Sequence, residues 1–212
     1  YGNNWQPKNY DRKYRGEVPL YQALMQSLNV PTVNLGMALG IDNVIESLKR
    51  LGVAKVDNHY PSMLLGALNM SPFQVSQMYQ TIATAGEYHK LTSLVAVVDE
   101  DGDLVYQQSL KGQRRFDRKD TDLTIYNMTL VAKQGTARRL RWQFPGINFA
   151  GKTGSTDKLR DSWFVGLDNR DVVTVWVGRD DNKTSTLTGS SGALRVFGDY
   201  MKLRSADSLV VN

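Results

Sequence analysis

Three extended segments late in the chain, with short connections between them, constrain the fold more than anything else in the sequence. Ala150 to Ser155 is small and extended, Ser162 to Leu167 is apolar, and Val172 to Arg179 is rich in β-branched residues. Asp168-Asn169-Arg170-Asp171 supplies turn formers between the last two. The first segment carries two glycines, Gly151 and Gly154, and almost no packing side chains. Glycine within a strand marks a place where another backbone or a ligand comes close. A lysine and two hydroxyls, in Lys152, Thr153 and Ser155, then face whatever approaches. On three residues alone, Lys152 reads equally well as a solvated charge on an edge strand.

Upstream of these strands the pattern is mostly helical. Glu17 to Gln26 places Val18, Tyr21, Leu24, Met25 and Leu28 at helical spacing, with Pro19 suited to the first turn. Pro31 disfavours helix at Val30, so a break is expected there. It leaves Ser27 and Asn29 on a tight connection before a second helix, Pro31 to Leu39. The bland role of such a pair is capping or turn formation. Asp42 is expected to cap Asn43 to Leu51. Ser71-Pro72 opens a helix whose core face reads Val75, Met78, Tyr79, Ile82 and Ala83. Leu94 to Val98 and Leu104 to Gln108 read as a hairpin around Glu100-Asp101-Gly102. Asp120 to Gln134 follows, with Leu123, Tyr126, Leu130 and Val131 as its stripe, and Ala193 to Leu203 is the last helix. Residues 1–16 read as an extended surface segment, and the tail beyond Arg204 carries no clear pattern. Helices covering an antiparallel sheet place the chain in the α+β class.

The 212 residues lack cysteine, which excludes disulfides, thiolate metal sites and cysteine catalysis. His59 and His89 stand alone, without ligand spacing, so no metal site is expected. The net charge is +5, with basic runs at 138–141 and 114–118. No aromatic platform or known motif accompanies them, so nucleic acid is not expected as a partner. The opening, Tyr1-Gly2-Asn3-Asn4-Trp5, has no initiator methionine and reads as the start of a piece of a longer protein.

Several segments together resemble the transpeptidase domain of class A bifunctional penicillin-binding proteins. Lys152-Thr153-Gly154-Ser155 is similar to the family's third motif, and Asp161-Ser162-Trp163-Phe164 to its partner strand. Ser27-Leu28-Asn29 resembles the Ser-x-Asn motif. Gly66-Ala67-Leu68 with Ser71-Pro72, Gln134-Gly135-Thr136-Ala137 and Gly189-Ser190-Ser191-Gly192-Ala193 resemble further family segments, in the same order. The resemblance implies a β-lactamase/transpeptidase-like fold, present only in part. No Ser-x-x-Lys precedes Ser27, and the literal match Ser155-Thr156-Asp157-Lys158 overlaps the third motif. Residues 1–204 are therefore expected to be the C-terminal part of such a domain, beginning after its nucleophile, with 205–212 as a tail. An apolar groove is expected beside the Lys152 strand.

By the same resemblance, Ser27, Asn29 and Lys152 are the catalytic candidates. Ser27 would relay a proton to the leaving amine, and Asn29 would bond the substrate amide or the absent lysine. Lys152 would orient Ser27. Thr153, Gly154 and Ser155 would bind substrate, the two hydroxyls taking its terminal carboxylate and the Ser155 N–H its oxyanion. The partners implied are peptidoglycan stem peptides and β-lactam antibiotics. For the parent, an outer-membrane lipoprotein activator, a glycosyltransferase domain and a place on the periplasmic face of the inner membrane are also implied. No metal or organic cofactor is implied. A serine β-lactamase or penicillin sensor shares these motifs, and a non-catalytic peptidoglycan- or protein-binding domain is the non-enzymatic alternative.

Overall fold

A computed structural model of the protein describes residues 5–211. Its centre is an antiparallel sheet of β5 (Ala150–Ser155), β6 (Ser162–Leu167) and β7 (Val172–Val177), in that order. The register aligns Lys152, Val165 and Thr174 across the three strands. Side chains alternate between faces along a strand, so one face carries Ala150, Lys152, Val165, Leu167 and Thr174. The other carries Thr153, Phe164, Val173 and Val175.

Helices cover both faces. α4 (Pro72–Ala83) crosses β7 on the Lys152 face, where Ser76 Oγ donates to Thr174 Oγ1 at 2.8 Å. α5 (Arg118–Lys133) brings Ile125 and Met128 onto Ala150 and Leu167. The opposite face packs on α7 (Ala193–Arg204), with Phe197 edge-on to Phe164 at 4.9 Å and to Phe149 at 5.7 Å. α6 (Arg139–Gln143) adds Leu140 to that core. A second, smaller core joins α3 (Ile41–Arg50) to Val53, Val56 and Met63, the last from a short 3₁₀ turn, Pro61–Leu65. Two small sheets lie outside: β1 (Glu87–Tyr88) with β4 (Gln113–Arg114), and the hairpin β2 (Ala96–Val98) with β3 (Leu104–Gln107). The α+β reading and the antiparallel sheet covered by helices stand.

Several boundaries and faces differ from the sequence reading, each for a local reason. α1 begins at Leu20 rather than Glu17, because Pro19 is an extended cap with ψ 145°. α2 runs from Asn29 to Leu39 and takes Pro31 into its first turn, where a proline forfeits no helical hydrogen bond. The break falls instead on Ser27, the left-handed C-cap of α1 at φ 55°. Gly40, not Asp42, caps α3. On α4 Met78, Tyr79 and Ile82 pack on the core as expected, but the most buried side chains are Gln77 and Thr81, and Ala83 is exposed. On α5 Val131 is buried as expected, but Leu123 is 61% and Tyr126 51% exposed, and Thr121, Ile125, Met128, Thr129 and Ala132 also face inward.

The end of the chain has no regular structure from residue 206 to 211, yet it is docked. Leu209 N–H donates to the Asn148 carbonyl at 2.9 Å, and Leu209 and Val211 pack beside Ile125 and Leu167. Of the expected extended segment 1–16, the first four residues lie outside the described residues. Within it, Asn9 is buried, and its side-chain oxygen accepts the Val30 N–H at 3.1 Å. It thereby caps α2, whose own N-cap, Leu28, has no side-chain oxygen to offer.

Candidate active site

Ser27 and Lys152 lie 125 positions apart, and the fold joins them: Lys152 Nζ donates to Ser27 Oγ at 2.8 Å. The left-handed turn at Ser27 is stapled by its own N–H to the Leu24 carbonyl and by Leu28 N–H to the Ala23 carbonyl. Lys152 reaches it from the helix-covered face of β5, and its ammonium also donates to the Thr153 carbonyl at 2.8 Å. Both partners are neutral oxygens. Burial, uncompensated by a carboxylate at either contact, pushes the Lys152 ammonium down to about 8 from 10.5.

β5 is the edge of its sheet, and a groove of about 720 Å³ lies over the Lys152 face, reaching from β5 across β6 to Trp176 of β7. Lys152 to Thr156 line one wall, with Trp163 and Trp176 beside them. Leu68, Met70, Met78 and Tyr79 form the apolar wall opposite. Burial pushes the Tyr79 hydroxyl up to about 12, so it stays a neutral donor. The groove expected beside the Lys152 strand is therefore present. Asp161 fixes its rim by accepting from Trp176 Nε1 at 3.0 Å and from the Thr156 hydroxyl at 2.9 Å.

The strand presents its polar groups in an ordered way. Thr156 N–H is used on the Asp161 carbonyl at 3.2 Å. Alternation along an antiparallel strand then turns the Ser155 N–H toward the open edge. The Ser155 hydroxyl accepts the Gly189 N–H at 2.9 Å, which leaves its own proton to donate. Gly189 is glycine for this approach: a Cβ there would sit 2.7 Å from the Gly154 carbonyl oxygen and 2.6 Å from that of Trp163. At Gly154 itself a Cβ would meet the Trp163 side chain at 3.1 Å. The Thr153 hydroxyl lies 2.6 Å from that of Thr136.

Of the six site residues read from the sequence, Lys152, Thr153, Gly154 and Ser155 line this groove, and Ser27 is joined to it through its hydrogen bond with Lys152. Asn29 starts α2 close by in sequence, but its amide donates to the Lys8 carbonyl at 2.8 Å. Thr136, Gly189 and Asp161 carried no role of their own in the sequence reading, although each fell within a segment that matched the family order.

The profile of the penicillin binding protein transpeptidase domain matches residues 1–202. The chain belongs to the penicillin-binding protein transpeptidase family. Curated relatives include penicillin-binding protein 1B of Vibrio cholerae, 50% identical over 209 residues, which are 98% of this chain and 27% of that protein. Penicillin-binding protein 1B of Escherichia coli is 44% identical over 203 residues, 94% of this chain and 24% of that protein. The chain thus spans about a quarter of the length of these relatives. Its fold matches penicillin-binding protein 1A of Haemophilus influenzae with a TM-score of 0.89 at 21% identity, over 99% of this chain and 38% of that one. It also matches the PonA1 protein of Mycobacterium tuberculosis, solved in complex with penicillin V, with a TM-score of 0.81 at 20% identity, over 97% of this chain and 61% of that one.

Proposed function

We propose that this chain forms the substrate-binding and proton-relay part of a serine D,D-transpeptidase that crosslinks peptidoglycan stem peptides and is acylated by β-lactams. The observation that carries the reading is the Lys152–Ser27 hydrogen bond, made by a lysine that lines the groove on a strand that also offers Thr153 and Ser155. The attacking serine is supplied by a part of the parent outside this sequence. Its oxygen bonds to the penultimate D-Ala carbonyl, and the amide C–N bond breaks. The leaving D-Ala amine takes a proton through Ser27, which Lys152 holds in place. The amine of a neighbouring stem then attacks the ester, forms the new amide and returns the serine.

The Ser155 N–H at the open edge of β5 is placed to stabilise the oxyanion; removing one such donor costs about two to three powers of ten in rate. The Thr153 and Ser155 hydroxyls donate to the terminal carboxylate, and the Lys152 charge draws it in. Asn29 contributes to substrate amide binding if its side chain releases Lys8. In the parent we place a membrane anchor and a glycosyltransferase domain ahead of this part, on the periplasmic face of the inner membrane, with an outer-membrane lipoprotein as activator. No helix among the described residues is long and apolar enough to cross a membrane.

Intact-mass spectrometry after incubation with benzylpenicillin tests this reading, on the chain alone and on the full-length parent. The expected outcome is an adduct on the parent only, at a serine upstream of residue 1. An adduct on this chain at Ser27 or Ser155 would make that residue the nucleophile and not a relay or a carboxylate ligand. No adduct on the parent would remove the transpeptidase reading.

A further inference from the structure

Residues 135 and 136 touch three of the segments that form the site. The Thr136 N–H donates to the Met25 carbonyl at 3.3 Å, two residues before Ser27. The Thr136 carbonyl accepts from Ser190 Oγ at 2.8 Å, in the loop whose Gly189 holds Ser155. The Thr136 hydroxyl meets that of Thr153, next to Lys152, at 2.6 Å. Gly135 permits this approach, because a Cβ there would collide with the Met25 carbonyl oxygen. The short turn after α5 thus ties the end of α1, the edge strand β5 and the lead into α7 at one residue.

We propose that Thr136 is a positioning residue for carboxylate recognition, acting through Thr153. The inference rests on the transpeptidase reading above. Each hydroxyl has one proton. For Thr153 to give its proton to a substrate carboxylate, it must receive the proton of Thr136 in the bond between them. The chain Thr136 O–H to Thr153 O–H to carboxylate then runs in one direction. Its first bond polarises the second and fixes the Thr153 rotamer before substrate arrives. A hydrogen bond to an ionised acceptor gains more from this than one to a neutral acceptor. The contribution is therefore specific to ligands that carry the carboxylate.

The test uses the full-length parent and two probes, benzylpenicillin and its methyl ester, which lacks the anionic carboxylate. Second-order acylation rates are measured for wild type, Thr136→Val and Thr136→Ser. Valine keeps the shape and removes the hydroxyl; it is expected to slow acylation by the acid about tenfold and to leave the ester near its own wild-type rate. Serine is expected to restore the acid rate. In a Thr153→Val background, Thr136→Val should add no further loss. Thr136→Ala carries the same comparison if valine fails to fold. Equal losses on acid and ester, or full additivity with Thr153→Val, would reduce Thr136 to a packing role and overturn the proposal. If the wild-type parent is not acylated by either probe, the transpeptidase reading fails and this inference with it. Normal acylation without acid-selective loss sinks only the role of Thr136.

Discussion

Asp168 and Lys152 are both charged side chains withdrawn from water in the same sheet, and the fold surrounds them in opposite ways. Asp168, just beyond β6, has a fully buried side chain. It accepts the backbone N–H groups of Arg170, Asp171 and Asp207 at 2.9 to 3.0 Å and pairs with Arg204. Burial alone would raise its carboxyl, but these donors outweigh burial and hold it below 3.8. Lys152 is opposed only by a hydroxyl and a carbonyl oxygen, and burial wins. One charge is complemented until it fastens the chain. The other is left under-complemented, with a hydroxyl and a carbonyl oxygen as its partners. What surrounds a buried charge, rather than its burial, separates a staple from a binding site.

The largest expected effect comes from breaking the staple. Asp168→Ala leaves three N–H groups without their acceptor, removes one of the two carboxylates that Arg204 pairs with (Asp171, at 3.0 Å, is the other) and releases the docked end that carries Leu209 and Val211. Loss of one partner from a buried ion pair costs about 3–5 kcal/mol, or a fall in Tm of ~10 °C for a chain of this size. Urea and thermal unfolding measure it. The pH dependence has a definite sign. A carboxyl lowered on folding stabilises the protein above its unfolded value, and that stability is lost as pH falls through the lower folded value. Wild type should therefore lose stability below pH 4 more steeply than Asp168→Asn. A small effect of Asp168→Ala would show that complementation does not fasten this part of the chain.

Removing the under-complemented charge should change stability in the opposite direction, although the pH slope keeps its sign, because folding lowers both groups. Below about pH 8 the Lys152 ammonium is protonated both folded and unfolded, and the folded state bears its whole desolvation cost. Between about 8 and 10.5 only the unfolded chain keeps the proton, so the cost is relieved as pH rises. Lys152→Met should raise stability at pH 7 by roughly 2 kcal/mol, a value reduced from the full shift because the side chain is partly solvated. The gain should vanish by about pH 10.5, while acylation of the parent is lost. Urea unfolding at the two pH values decides it. A destabilised Lys152→Met at pH 7 would mean that Lys152 is complemented after all.

The same contrast governs what could be read from the sequence. The three strands were legible because short turn-forming connections join apolar or glycine-bearing runs, and the helix start at Ser71 was legible because a cap residue is followed by proline; the structure completes it with a capping box through Gln74. Ser27 and Lys152 were each visible, but nothing local states that they touch; only the family order of motifs joined them. The buried stripe of α5 was misread because Leu123 and Tyr126 look like core and Thr121 and Thr129 do not. Those threonines are buried cheaply, since Thr129 Oγ1 donates to the Tyr126 carbonyl at 2.7 Å and Thr121 Oγ1 to that of Arg118 at 2.9 Å. Gln77 escaped notice likewise: it is buried because it bonds the His89 carbonyl and the Leu91 N–H at 2.9 and 2.8 Å. The docked tail rests on Asp168, whose acceptance of the Asp207 N–H no periodicity announces. Long-range polar contacts carry no pattern, and they make up most of the site.

The smallest effect is expected at the ion pair with the best geometry. Arg179 donates to Asp181 through Nε and Nη2, both at 2.9 Å, and Lys183 approaches the same carboxylate at 3.4 Å. These bonds, Arg179 first, draw the Asp181 carboxyl down to about 2. By geometry and by titration this pair looks at least as strong as Asp168 with Arg204. It is nevertheless solvated, with the side chains 53% and 39% exposed. Water competes for every donor, and holding two long side chains in one pose offsets most of the gain. Asp181→Asn should therefore shift Tm by about 1 °C or less, even at low salt. A loss comparable with that of Asp168→Ala would show that bidentate geometry, rather than enclosure by backbone donors, fastens this protein, and Lys152 would then need another explanation for its lowered proton affinity.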